Sequence, residues 1–529
     1  MPTPPSRPSP PVQPGSPTGH AGPRPLLGLR ETVTLIVGVV VGAGIFKAPA
    51  LVADMTGGAP WMFLAWALGG VVSLIGALCY AELCTAYAHA GGDYHFLHRA
   101  YGRGLAFLFG WARYAVITTG SIALLAFVFG DYLQQVLPLS GVPASGATFY
   151  AAAAVLALAL LNLAGLRNAS LAQTGLTLLE VGGLAAVAAG AVLLAPAPEV
   201  PAGGAPDAAA AGGAFPASFG LAMVFVLLAY GGWNEAAYIS AEVKQGERGG
   251  GRSHNMVRAL VLSVTLIALL YLLVAWACWH ALGMRGLAAS AAPAADVMRL
   301  AFGPAGERVL ALLVAVSALT SINATMIVGA RTGYALARDW PALGWLGGWD
   351  SARGTPRTAL LLQCAAALAL VGLGGALGGG FRAMVEFTAP VFWLFFLLTG
   401  LSLFVLRRRE PDRPRPFRVP LYPLLPALFC AACAGMLWSS LSYVSAQHLG
   451  GFNAAWIGVA VLAAGVLVLA LLLALQRRGP RAAPQADSTA AGQSGDPATR
   501  AAAPEPPPGS HPHAPSHAPT AAPTKEHRP

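Results

Sequence analysis

The sequence predicts an all-α integral membrane protein that crosses the bilayer twelve times. Three observations carry this expectation: few charges, long apolar runs, and basic residues confined to alternate connections. Of the 529 residues, 56% are hydrophobic and only 10% charged, with a mean hydropathy of +0.61. Soluble domains carry about 25% charged residues. A span needs about 20 mostly apolar residues. Runs of that kind cover approximately 32–53, 61–84, 104–130, 149–166, 171–195, 217–240, 257–281, 306–330, 358–378, 383–406, 421–445 and 453–476.

The basic residues orient these runs. With the N-terminus cytoplasmic, 26 of the 32 Lys and Arg fall in inside segments, six of them between Arg407 and Arg418. The other six, Lys47, Arg113, Arg285, Arg299, Arg308 and Arg382, form no dense cluster. Both termini are therefore expected inside, in a multi-pass protein of the plasma (inner) membrane whose surroundings are the lipid bilayer. The net charge of +10 is a topology signal, and nucleic acid is not expected as a partner. Residues 1–27 are proline-rich and 477–529 are rich in Ala, Pro and His; both read as disordered tails, leaving a membrane domain at 28–476. The six cysteines (79, 84, 278, 364, 430, 433) lie in or at the ends of apolar runs. Their placement predicts neither disulfides nor a metal site, and no cofactor is expected.

The first run contains VVVGAGIFKAP (39–49), where glycines, a lysine and a proline fall inside a stretch long enough to span. The sixth contains FVLLAYGGWNEAAY (225–238). Two interrupted helices in corresponding places, five spans apart, point to an inverted repeat with a binding site at the membrane centre. Unwinding there frees backbone groups, which hydrocarbon does not satisfy. Small residues for close helix contact are the alternative reading. The polar and aromatic neighbours Phe46, Tyr230, Trp233 and Asn234 favour a site, and the last three are gating candidates.

Glu180 lies about ten residues into the fifth run, near mid-membrane at 1.5 Å per residue. An ionisable group at that depth is a functional expectation, here a proton carrier or a structural partner. Lys47 would pair with it or snorkel to the outer interface. Ser317, Ser321 and Thr325 share one face of the eighth run, as substrate or ion contacts or as hydroxyls bonded back to their own helix. Glu82, Glu242 and Arg331 read as gating or structural ion pairs near the cytoplasmic helix ends. Arg113 is expected to reach the inner interface. Trp276 and Trp279 read as interface anchors, and Glu386 has no assigned role. No HExxH, GxSxG or phosphate-loop pattern occurs in a suitable context, so an enzyme is not expected.

Taken together, several segments resemble the amino acid–polyamine–organocation superfamily of permeases, most closely its L-type amino acid exchanger-like branch. They are GAGIF (42–46), YAEL (80–83) with AGGDYHFLHRAYG (90–102), and AYGGWNEAAYISAEVKQGER (229–248). SINATMIVGARTGYALARDWP (321–341), TPRTALLLQ (355–363) and RPFRVPLYPLLP (415–426) follow in order. The resemblance implies a LeuT-type fold: a 5+5 inverted repeat with discontinuous helices 1 and 6, plus two C-terminal helices. Repeat one would cover about 30–195, repeat two about 217–406, and the extra helices about 421–476. It implies a secondary transporter of amino acids, by proton-coupled symport or exchange; the coupling ion stays open, with a proton ranked ahead of sodium. Polyamine or organic-cation transport, or a non-transporting substrate sensor, are the alternatives.

By the same resemblance, amides around Ala43, Gly44 and Ile45 would receive the substrate carboxylate. Carbonyls near Val40 and of Leu228 and Gly231, with Gly232, would hold its ammonium, and Ser321 and Thr325 would line the pocket. The sequence departs from the family at Ala43 (serine in relatives), Leu228 (a gating aromatic), Thr325 (tryptophan in arginine exchangers) and Glu180 (lysine). The loop at 131–148 has no cysteine, so a disulfide-linked partner is not expected.

Overall fold

The computed structural model describes residues 28–89, 91–139, 146–164, 170–193, 218–240, 243, 252–348, 350, 355–378, 380–446 and 454–478. Both expected tails lie outside this set, apart from Arg477 and Arg478, as does Glu242. The described elements form one compact helical unit ending at Gln476. Among the described residues, nine helices are long and apolar enough to cross a membrane, or ten if one bent pair counts as a span.

The first apolar run is divided. Helix α1 (Leu29–Val40) and α2 (Ala48–Thr56) are separated by a 3-10 turn, Ala43–Phe46. At 12 and 9 residues, neither half crosses alone. Next come α3 (Ala59–Ala86) and the short α4 (Gly92–Tyr101), which the hydropathy did not foretell. A π turn, Arg113–Thr118, joins α5 (Arg103–Ala112) to α6 (Thr119–Val136) in one long span. Within that turn the Thr118 hydroxyl donates to the Arg113 carbonyl at 2.6 Å.

Helices α7 (Gly146–Ala164) and α8 (Ser170–Leu193) match the fourth and fifth runs. The sixth run is the bent pair. Helix α9 (Phe219–Ala229) turns by 42° into a 3-10 turn (Trp233–Glu235) and α10 (Ala236–Ile239). Helices α11 (Arg252–Ala289) and α12 (Pro293–Asp339) are each two helical segments that meet at a non-helical glycine, Gly283 (φ 65°, ψ 172°) and Gly303 (φ 68°, ψ −165°), so each covers more than its predicted span. Then α13 (Arg357–Ala376), α14 (Gly380–Arg409), α15 (Leu424–Ala446) and α16 (Ala454–Arg478) complete the chain.

Helix α3 packs on α11, α12 on α6, and α14 on α15, with the broken helices between them. Outward faces are apolar. On α11, Leu262, Leu266, Leu269 and Leu273 recur every three or four residues and are all exposed. In water such a stripe would be a liability; against lipid it is the ordinary outer face of a span.

At the arginine-rich end the helices are clasped together. Glu82, 1% exposed, accepts from the Arg407 Nε at 2.7 Å and from the Val419 amide at 2.7 Å. The Arg99 guanidinium donates to Glu410 at 2.8 Å, and Arg413 donates to the Ala86 carbonyl at 2.9 Å. Glu82 is therefore the centre of an ion-pair cluster, while Arg331 is exposed.

Candidate functional site

The two helix breaks lie against each other. A Cβ built on Gly232 would stand 3.2 Å from the Val39 carbonyl oxygen and 3.3 Å from the Val40 Cα. Gly232 has φ +115°, a region that side chains avoid, so glycine is required there both by backbone and by space. The expected pairing of interrupted segments is thus a physical contact.

At the first break the Gly42 amide turns back to the Val40 carbonyl at 2.8 Å. Gly42 is then extended (φ −112°, ψ −178°), and the chain restarts at Ala43. The amides of Ala43 and Gly44 head the new turn, where a helix has no acceptor of its own to offer. They form the partially positive end of the restarted segment. A Cβ on Gly44 would meet nothing within 4 Å, so this end faces open space. The Ser321 hydroxyl of α12 lies beside it, 4.0 Å from the Cβ position of Gly42.

Other expected contacts are placed differently. The Val40 carbonyl already accepts from Gly42 and, at 2.9 Å, from the Tyr271 hydroxyl. Both of its lone pairs are thus used within the fold. Ile45 is buried in the core, and its amide reaches the Gly42 carbonyl at 3.4 Å. Thr325 donates to the Ser321 carbonyl at 2.7 Å, the back-bonded arrangement. Leu228 accepts from the Gly231 amide at 3.0 Å, which leaves lone-pair capacity at the end of α9.

The three gating candidates sit in the core. Tyr230 is fully buried, donates to the Trp66 carbonyl at 3.1 Å, and packs on Trp66 and Tyr271. Trp233 packs edge-on against Tyr80, with centroids 5.1 Å apart, and Asn234 is buried. All three are buried beside the second break.

The charged groups hold the larger surprises. Lys47 is paired with Asp131 at the end of α6 and lies 5.6 Å over the Phe381 ring, so its partner is Asp131 rather than Glu180. Glu180 is the eleventh residue of the 24-residue α8, which packs on α1, α11 and α12; its side chain lies outside the described residues. Arg113 is held inside the protein. It is 8% exposed and donates to both carboxylate oxygens of Glu235, at 2.9 and 2.8 Å, beneath the 3-10 turn of the broken sixth helix. Its guanidinium lies 4.5 Å over the Tyr238 ring. Glu386 pairs with Arg382 at 3.2 Å, and Trp276 stacks on His280.

Asp131, Glu235 and Asp93 were not singled out from the sequence. The signal was present. Glu235 stands in WNEAAY and Asp93 in GGDY, two of only 22 acidic residues in a membrane chain.

Residues 27–462 match the amino acid permease family, a family of transporters rather than enzymes. The chain is 30% identical to the b(0,+)-type amino acid transporter 1 of Mus musculus, over 75% of this chain and 79% of that one. It is 28% identical to the large neutral amino acids transporter small subunit 2 of the same species, over 77% and 75%. It is also 28% identical to its Asc-type amino acid transporter 1, over 84% and 80%. With most of its length matched and its two broken helices in contact, the chain belongs to the amino acid permease family.

Proposed function

We propose that this chain is a secondary transporter of amino acids, holding the substrate between its two helix breaks. The observation that carries this reading is the open space at Gly44, faced by the Ala43 and Gly44 amides and flanked by Ser321. Helix N-termini of this kind attract carboxylates. The free capacity of the Leu228 carbonyl, with Gly231, suits an ammonium group on the other side. Side-chain selectivity is then set by the residues around the breaks, separately from recognition of the α-amino acid moiety.

The architecture in this reading is a LeuT-type 5+5 inverted repeat with twelve spans. The divided first helix and continuous α8 supply the crossings that length and composition alone do not count. The arginine-rich clasp faces the cytoplasm by the positive-inside rule, which puts both termini there and the protein in the plasma membrane. Movement is by exchange or by symport with a proton, for which Glu180 is one candidate carrier.

Reconstituted protein offered a labelled amino-acid panel, with and without a pH gradient, tests this. Counterflow of at least one amino acid is expected. Uptake of a linear diamine in its place would make the cation reading correct, and binding without counterflow would make the protein a sensor. Glu180→Gln separately tests coupling through α8: unchanged rate and pH dependence would remove Glu180 from the mechanism.

A further inference from the structure

A second charged cluster lies beneath the broken sixth helix, formed by residues other than those at the Gly44 end of the first break. Asp93 of α4 is 3% exposed. Facing it are Tyr80 and Cys84 of α3, Arg113 of the π turn, and Asn234, Glu235 and Tyr238 of the broken helix. The nearest ionisable groups of α5 and α14 are committed elsewhere. Arg103 donates to the Asp339 carbonyl, Arg407 to Glu82, and Arg409 to the Ala100 carbonyl.

The charges in this cluster do not balance. Two carboxylates, Asp93 and Glu235, share one guanidinium, and Arg113 gives its two-pronged contact to Glu235. The Asp93 Oδ1 and the hydroxyls of Tyr80 and Tyr238 have no hydrogen-bond partner among the described residues. A buried carboxylate with one unbonded oxygen and only a share of one guanidinium is costly to keep charged, and uptake of a proton removes the charge. We propose that Asp93 is a proton-binding site that ties the inner half of the broken sixth helix to α4 and the π turn. Burial pushes the Asp93 carboxyl up to about 6, against the lowering effect of Tyr80, Arg113 and Asn234.

The linkage follows from where Glu235 and Asn234 sit. Swinging the 3-10 turn away from Arg113 lets water reach Asp93, and a hydrated carboxyl returns to its ordinary range near 4. Opening at this end therefore releases the proton, and acid conditions hold the cluster closed. Here α4, unforeseen in the hydropathy, acquires a role: it delivers a carboxyl under the broken helix from a connection between spans.

Two measurements on the full-length protein test this, at equal pH on both sides of the membrane. The first is amino-acid homoexchange in proteoliposomes between pH 5 and 8. The second is thermal unfolding in detergent over the same range. Exchange is expected to fall on acidification with a midpoint near 6, approaching about tenfold per pH unit below it. A carboxyl raised in the folded state contributes stability that is present below its unfolded pKa and lost as pH rises through about 6. The wild type should accordingly lose melting temperature between pH 5 and 7. Asp93→Asn should flatten both profiles. Glu235→Gln, which leaves Arg113 to Asp93 alone, should move both midpoints to lower pH. It also serves as the test if Asp93→Asn does not fold.

Profiles of Asp93→Asn that follow the wild type, or a Glu235→Gln midpoint that does not move, overturn the proposal. The exchange measurement rests on the amino-acid transport reading, whereas the melting measurement does not. A protein that moves no panel substrate but loses its pH-dependent melting in Asp93→Asn refutes transport and supports the proton site.

Discussion

The two broken helices carry the same sequence sign, closely spaced glycines, for two different physical reasons. At the sixth break the glycine is demanded by the backbone: Gly232 has φ +115° and touches Val39 and Val40. At the first break Gly42 is merely extended, a conformation open to any residue, and its Cβ position is 4.0 Å from the nearest atom. There the glycines leave room rather than relieve strain. The anchors differ as well. In the proposed orientation, the outer part of the first helix is held by a lysine point charge on Asp131, and the inner part of the sixth by an arginine fork on Glu235. Both counterparts stand on the third span, at opposite ends, so one rigid element restrains a half of each broken helix.

The largest effect is expected from Arg113→Gln. It leaves Glu235 and the buried Asp93 without their cation, a change that costs about 3–5 kcal/mol at buried pairs. Arg113→Lys keeps the charge but loses the planar fork, and should fall between the two. Thermal unfolding in detergent measures both; equal melting temperatures for Gln and wild type would show that the inner anchor bears no weight.

Next in size is the contrast between the glycines. Gly232→Ala forces a strained backbone and a close contact, at about 1–3 kcal/mol, whereas Gly42→Ala should change stability by no more than about 0.5 kcal/mol. If both melt alike, the difference drawn between the breaks is wrong. Smaller again is the outer anchor. Lys47 and Asp131, with side-chain exposures of 15% and 25%, are joined by a point charge rather than by a two-pronged fork. Lys47→Met should cost about 1 kcal/mol or less, and a double-mutant cycle with Asp131→Asn isolates the pair.

The smallest stability effect is expected for Gly44→Val, and it sharpens the comparison most. Its side chain would enter open space, leaving stability within about 0.5 kcal/mol of wild type. The concentration for half-maximal uptake should nevertheless rise at least about tenfold, which corresponds to 1.4 kcal/mol of lost binding. Unchanged uptake would place the substrate elsewhere.

Most of the span positions, the arginine-rich end and the two interruptions were legible in the sequence. Each is a one-dimensional property: runs of apolar residues, a bias in charge, and a residue type that weakens helices. Boundaries were less legible. In α11 and α12 a further helical segment adjoins the span across a positive-φ glycine, Gly283 or Gly303, and the apolar pattern does not mark it. The kinship of GAGIF and AYGGWN could be named from the sequence, but not their contact. Partnership was decided only in three dimensions. Lys47 finds Asp131 across 84 residues, Arg113 finds Glu235 across 122, and the Val40 carbonyl is taken by Tyr271 across 231. A carbonyl or a charge carries no mark in the sequence of which group will satisfy it. In a low-dielectric interior that choice determines which groups serve the fold and which stay free to bind.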